Sequence, residues 1–281
     1  MPYKPEEEIH VRDIPLSYMW KYLKTNQPPP KKCNDGREQE LLKFIQNHPR
    51  YSEMKGSPEA VLAAIDEFGC TKDFLMNVGQ EKGRVVTGLI AQEKPKTFLE
   101  IGGYVGFSAI LFGNEFRNSG GQKYLSLELN PTFASVAREL IALAGLDQTV
   151  EIIEGPCRES LRKLHQQGAG AFDVVFIDHA KVLYFNELKL CEELGFVQPG
   201  TTVMADDMVR QGNAQYSAYV RDSPAVKRQR YEEEKANQEN GDVSLGNPSL
   251  IYETTMFHGL DPCGTEVSQP AGWQVISRMS F

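Results

Sequence analysis

Between Phe98 and Asp206 the chain repeats one pattern: a short apolar run, a turn, then a stretch with helical spacing. The runs are Phe98–Ile101, Tyr124–Glu128, Val150–Glu154, Phe172–Asp178 and Thr201–Asp206, and helical stretches over 107–116, 131–144, 158–166 and up to about Leu194 separate them. This alternation predicts a parallel sheet with helices on both faces. Ligands of such sheets sit beyond the carboxyl ends of the strands. Ser249–Phe257 and Trp273–Met279 read as two further strands, joined by a long turn.

The strand ends carry acids: Glu100, Glu128, Asp178, and Asp206 with Asp207. One alone reads as a helix cap or a surface charge. Five at successive ends of one sheet converge on a single edge, where a half-buried carboxylate must pair, hydrogen-bond or hold a metal. Asp178, Asp206 and Asp207 offer an all-oxygen set that suits Mg²⁺. Lys181 follows Asp178 closely; by itself it reads as an exposed lysine at a helix start, and beside a metal-bound hydroxyl it reads as a base. His179 contacts a ligand or simply packs. Cys157, just after a strand in EGPCRES, reads as a small residue against a ring, with no base nearby to make it a nucleophile.

The turn TFLEIGGYVGFS, Thr97–Ser108, joins the first strand to its helix. Its glycines, 102, 103 and 106, let backbone approach a ligand and aim helix N–H groups at it. The spacing is neither the dinucleotide fingerprint nor a GK[ST] phosphate loop. A nucleoside without a pyrophosphate fits better, with Glu128 placed to hold its ribose.

Upstream, Asp35–Asn47, Pro58–Phe68 and Gln80–Gln92 read as helices, with Leu75–Gly79 as loop. Residues 1–34 form an extension, with helical spacing at Ile14–Thr25 and a stiff proline linker at 28–30, ahead of one compact domain over 35–281. Asn213–Val220 is helix-like. Ala225–Gly246 holds KRQRYEEEKANQENGD, whose dense charge predicts a solvated, mobile loop. A net charge of −8 argues against nucleic-acid or anionic-membrane binding. Five scattered cysteines without a CxxC pair, no secretory h-region and no long apolar run predict a cytoplasmic protein off the membrane.

The segments LEIGGYVGFSA, SLELNP, FIDHAKVLY and VMADDM, with upstream SPEAVLAAIDEFGCTKDFLMNVGQEKG, resemble the catechol O-methyltransferase family from about Asp35 to Met208. The resemblance implies a Rossmann-like methyltransferase fold: a mostly parallel seven-stranded sheet, helices on both faces and extra N-terminal helices. The implied methyl donor is S-adenosylmethionine (SAM), and the implied acceptor is a small aromatic diol. Met76, Asn77 and Val78 would line the cofactor pocket. Glu100, Gly102, Tyr104, Phe107 and Ser108 would surround the methionine part. Glu128 would hold the ribose, with Leu129, Cys157 and Arg158 near the adenine. Asp178, also beside the cofactor, would hold Mg²⁺ with Asp206 and Asp207, and Lys181 would be the general base.

Departures from the family pattern qualify that picture. Asp207 replaces an asparagine, which would shift metal preference toward Mn²⁺ or Ca²⁺. Ala180 replaces a tryptophan and Gln211 a proline on the acceptor walls, while Phe74 keeps an aromatic. The glutamate expected to orient the second hydroxyl falls at Glu253, or at Ile251 in a gapless match. A bulkier acceptor of the caffeoyl-CoA kind, or SAM binding without chemistry, are the alternatives.

Overall fold

A computed structural model describes residues 33–206, 208, 214–237, 243–259 and 271–279. The N-terminal extension up to residue 32, Asp207 and Gln211 lie outside the described residues. Among the described residues four helices come first: α1 (Arg37–Gln46), α2 (Tyr51–Met54), α3 (Pro58–Thr71) and α4 (Gly79–Glu93). The alternating part follows as β1 (Thr97–Ile101), α5 (Phe107–Asn118), β2 (Lys123–Glu128), α6 (Pro131–Leu143), β3 (Val150–Glu154), α7 (Cys157–Gln166), β4 (Val174–Ile177), a 3₁₀ turn (Lys181–Leu183), α8 (Tyr184–Glu193) and β5 (Thr202–Ala205). Then come α9 (Ala214–Arg221), α10 (Pro224–Ala236), β6 (Tyr252–Gly259) and β7 (Ala271–Met279).

The sheet order is β3-β2-β1-β4-β5-β7-β6. β1 to β5 are parallel, whereas β7 runs antiparallel to both neighbours. This is the parallel α/β sheet that the alternation predicts, in the Rossmann-like form that the family resemblance implies. The order of strand addition reverses about β1: strands β2 and β3 lie on one side, β4 and β5 on the other. A crevice opens at such a switch point.

Both faces of the central parallel strands β1, β4 and β5 are buried, so these strands read as nearly continuous apolar runs, whereas the edge strand β3 exposes Glu151 and Glu154. Phe98, Tyr124 and Phe176 face one core with α3 to α6, and Leu99, Leu127, Val175 and Ile177 face the other with α7 to α9. The Phe98 and Tyr124 rings stack at 4.4 Å. Caps set the helix starts: Asn130 Oδ1 accepts the Thr132 N–H at 2.9 Å, and Pro131 fills the first helical position.

The expected mobile loop at 225–246 is corrected by α10, which spans Pro224–Ala236. Ser223 accepts the Val226 N–H at its start, and Gln229 bonds Glu233 one turn on. Composition failed here because the helix is held by a cation and not by an apolar stripe. Lys227, 2% exposed, lies 4.0 Å over the Tyr219 ring and 4.6 Å over the Tyr252 ring. It donates to the Leu250 carbonyl at 2.8 Å and faces the buried Glu192 at 3.6 Å. Tyr219, Tyr252 and the Asn247 N–H also donate to Glu192. Lys227→Met therefore leaves Glu192 with its neutral donors but no cation. We expect about 3 kcal/mol of lost stability in urea unfolding, at the low end for breaking a buried pair; a loss below about 1 kcal/mol would mean that α10 is not anchored there.

Candidate active site

β1 delivers the chain into the glycine turn. The Gly102 and Gly103 N–H groups both donate to the Leu127 carbonyl, at 2.9 and 3.2 Å, which ties the turn to the end of β2. Gly102 has φ +105°, and a Cβ there would lie 2.3 Å from the Asp178 carbonyl oxygen. Only glycine lets the ends of β1 and β4 pass so closely. Tyr104 follows at φ +45°, a left-handed conformation that costs a side-chain residue about 1–2 kcal/mol. Three contacts hold it: its N–H donates to Glu128 at 2.8 Å, its hydroxyl donates to Glu38 of α1 at 2.9 Å, and its ring meets Phe133 edge-on at 5.1 Å. Thus α1, from the N-terminal layer, props the cofactor turn.

Glu128 is buried and accepts two backbone N–H bonds, from Tyr104 and from Asn130, each at 2.8 Å. Burial raises its pKa, and those N–H groups work in the opposite direction. Glu100 sits below the turn, paired with Ser126 in the β1–β2 register and fully buried. Neither carboxylate oxygen has a hydrogen-bond partner at bonding geometry, nor does Asn77 Oδ1. Burial lifts Glu100 to about 7, opposed by the hydroxyls of Ser108, Ser126 and Tyr124. Orphaned buried acceptors beside a glycine cradle are the pattern of a pocket that takes a donor-bearing, cationic ligand.

The other residues expected to line the cofactor pocket lie at the starts of two helices. Met76, Asn77 and Val78 run into α4, and Phe107 and Ser108 open α5. Arg37 fastens the preceding loop, with bonds to the Phe74 carbonyl at 2.6 Å and to Asp35. Leu129, beyond Glu128, keeps 49% of its surface exposed, an open apolar face at the pocket mouth. Cys157 begins α7; burial pushes its thiol pKa well up, which removes it as a nucleophile. Arg158 donates to Ser244 at 3.2 Å, so the segment after α10 reaches the same end of the crevice.

The acids at the ends of β4 and β5 are brought together. The Asp178 N–H donates to the Ile101 carbonyl and the Asp206 N–H to the Ile177 carbonyl, which keeps three strand ends in step. Asp206 is 4% exposed and meets Lys82 Nζ at 2.7 and 2.5 Å through its two oxygens. Lys82 lies in the first turn of α4, and nothing in its local sequence distinguishes it from a solvated lysine. Lys181 opens the 3₁₀ turn, with Nζ 5.6 Å from the Tyr184 ring centroid. His179 stacks on that ring at 5.2 Å and meets the Glu187 carboxylate. Among the described residues no three His, Cys, Asp or Glu side chains form a ready metal cluster; Asp207 lies outside them. Asp178 and Asp206 offer oxygen donors, the type a hard cation takes, and the Asp206 carboxylate is engaged by the Lys82 ammonium.

Glu253 is a correction. β6 runs in the same direction as β5, with β7 between them. Ala205 faces Gln274, which pairs with Met256, whereas Glu253 pairs with Ser277. Glu253 thus lies three residues back from the row of Ala205, roughly 10 Å along the strand, toward the opposite edge of the sheet. It is exposed there. Ile251 precedes the strand and lies further back still. Phe257, paired with Trp273, occupies the row that Glu253 was expected to fill.

Comparison with known proteins agrees with this geometry. Residues 54–240 match a protein family described as O-methyltransferase. The chain is 34% identical over 192 residues to catechol O-methyltransferase B of Danio rerio, covering 68% of this chain and 70% of that one. It is 33% identical over 188 residues to catechol O-methyltransferase of Mus musculus, covering 66% and 69%. Its fold is similar to an O-methyltransferase from Bacillus cereus solved with SAH (TM-score 0.54, 20% identity, 94% and 100% covered). It is also similar to TomG from Streptomyces achromogenes, solved with SAM (TM-score 0.55, 19% identity, 86% and 99% covered). No helix among the described residues is long and apolar enough to cross a membrane.

Glu100 makes stability depend on pH. A carboxyl whose folded pKa, about 7, lies above its ordinary 4.5 contributes fully below 4.5 and loses its contribution as pH rises through 7. The melting temperature of the ligand-free protein should fall between about pH 5 and about pH 8, by on the order of 3 kcal/mol in free energy. Glu100→Gln should flatten that slope in thermal denaturation across this range; an equal slope in both proteins would exclude Glu100 as its source.

Proposed function

We propose, from the premise that this chain belongs to the O-methyltransferase family and is SAM-dependent, that it methylates one hydroxyl of a vicinal dihydroxy aromatic with the help of a divalent metal. The observation that carries this is the packing of Gly102 against the Asp178 carbonyl. It supports the reading because the glycine turn and the Asp178 end of β4 lie side by side, as a donor and an acceptor sharing one crevice would require.

Asp178, Asp206 and Asp207 would hold the metal, Mg²⁺ first among the hard cations and Mn²⁺ or Ca²⁺ next, given the third carboxylate. When bound, such an ion supplies a Lewis acid that lowers the pKa of an aromatic hydroxyl. Lys181 Nζ, in its neutral amine form, would take the hydroxyl proton, so that the oxygen could bond the donor methyl as the S–CH₃ bond breaks and the sulfur leaves as a neutral thioether. Glu128 holds the ribose hydroxyls with the oxygen lone pairs that its backbone N–H partners leave open. Glu100 and the glycine turn receive the methionine part, and its positive charge favours the ionised form of Glu100. Met76, Asn77 and Val78 close one wall, and Leu129 and Cys157 flank the adenine. Catalysis here is mainly positioning and electrostatics.

A second reading is favoured by the acceptor side. Ala180 leaves a small side chain there, and the neighbouring Val182 is 56% exposed. A bulkier catechol conjugate would find apolar surface at this rim.

Radiolabelled methyl transfer from SAM to catechol and to a caffeoyl conjugate, with Mg²⁺ and with EDTA, tests both readings. Turnover should require metal. Asp178→Ala should abolish it while leaving weakened SAM binding in calorimetry. Lys181→Met should lower kcat by about 10²–10⁴-fold, the usual contribution of a general base. Metal-independent turnover, or a Lys181→Met enzyme with unchanged kcat, would contradict the mechanism. A higher kcat/KM for the conjugate would select the second reading.

A further inference from the structure

The ammonium of Lys82 is engaged by both oxygens of Asp206, at 2.7 and 2.5 Å, and both residues are buried. They are 124 positions apart in the chain, so the pair is a tertiary feature of α4 and the end of β5. A charge-assisted contact of this length occupies both carboxylate oxygens at once. A hard divalent ion needs carboxylate oxygens directly, and it repels an ammonium held at the same group.

We propose that Lys82 and a divalent metal compete for the carboxylate of Asp206, so that metal binding is an exchange of cations and Lys82 sets how tightly the metal is held. The proposal rests on the metal-dependent reading above. Lys82 is a positioning residue in this scheme. It keeps a buried carboxylate neutralised, since Asp206 would otherwise be a costly uncompensated charge. It yields to an ion that can also be shared with Asp178. Because Lys82 stands in the first turn of α4, just after the cofactor wall of Asn77 and Val78, the exchange takes place where metal and cofactor sites adjoin.

The test is calorimetric titration of EDTA-treated full-length protein with MgCl₂ and with MnCl₂, for wild type, Lys82→Met, Lys82→Gln and Lys82→Arg. The two uncharged variants should melt at lower temperature without metal and bind metal about tenfold or more tightly than wild type. The arginine variant should keep the weaker affinity. A lysine with only a structural role would lower stability and leave affinity unchanged or reduced, and that result overturns the proposal. Metal binding to none of the proteins would overturn the metal-dependent reading and this proposal together. Should the uncharged variants not fold, wild type alone decides: lysine acylation read by mass spectrometry should be slow at Lys82 without metal and several-fold faster with saturating Mn²⁺. An unchanged rate overturns the exchange.

Discussion

Carboxylates gathered at neighbouring strand ends need a cation, and the crevice depends on how that need is met. Parallel strands kept in step by the Asp178 and Asp206 N–H bonds bring these two acids to one edge. Burial forbids leaving Asp206 bare. Lys82 answers from α4, a helix that precedes the sheet in sequence, and so ties the N-terminal layer to the far side of the site. Under the proposed function, this pairing would have to open for a metal to reach Asp206.

The methyl-donor side is built by a different device. Steric clearance at Gly102 brings β1 against β4, and the left-handed Tyr104 turns the chain into α5. The strain at Tyr104 persists because Glu38, Glu128 and Phe133 each hold a different part of the residue. Glu100 and Asn77 carry the cost of unmet acceptors in the same pocket. Local instability is concentrated where a ligand would relieve it.

The alternation of runs and turns made the parallel sheet legible, since fully buried strands leave a continuous apolar signature between glycines and helix caps. The convergence of the acidic strand ends was legible for the same reason: strand ends are adjacent whenever strands are parallel. Four features were not. The α10 helix hides its anchor in a lysine, Lys227, whose burial between two tyrosine rings has no compositional mark. Lys82 looks like any helix-start lysine until the fold places it on Asp206. Glu253 matched by motif but not by register, because a strand that enters the sheet from the far edge presents its early residues there. Glu38 was read only as part of a helix, and its bond to Tyr104 is invisible without the tertiary structure.

The central claim is that one crevice seats the methyl donor and a metal side by side across the Gly102–Asp178 contact. A crystal structure of the protein with SAH and Mn²⁺, with anomalous scattering to locate the metal, tests it most directly. The account predicts an anomalous peak coordinated by Asp178 and Asp206, with Lys82 withdrawn from Asp206 and the SAH ribose on Glu128. A peak elsewhere, or SAH bound away from the glycine turn, would contradict it.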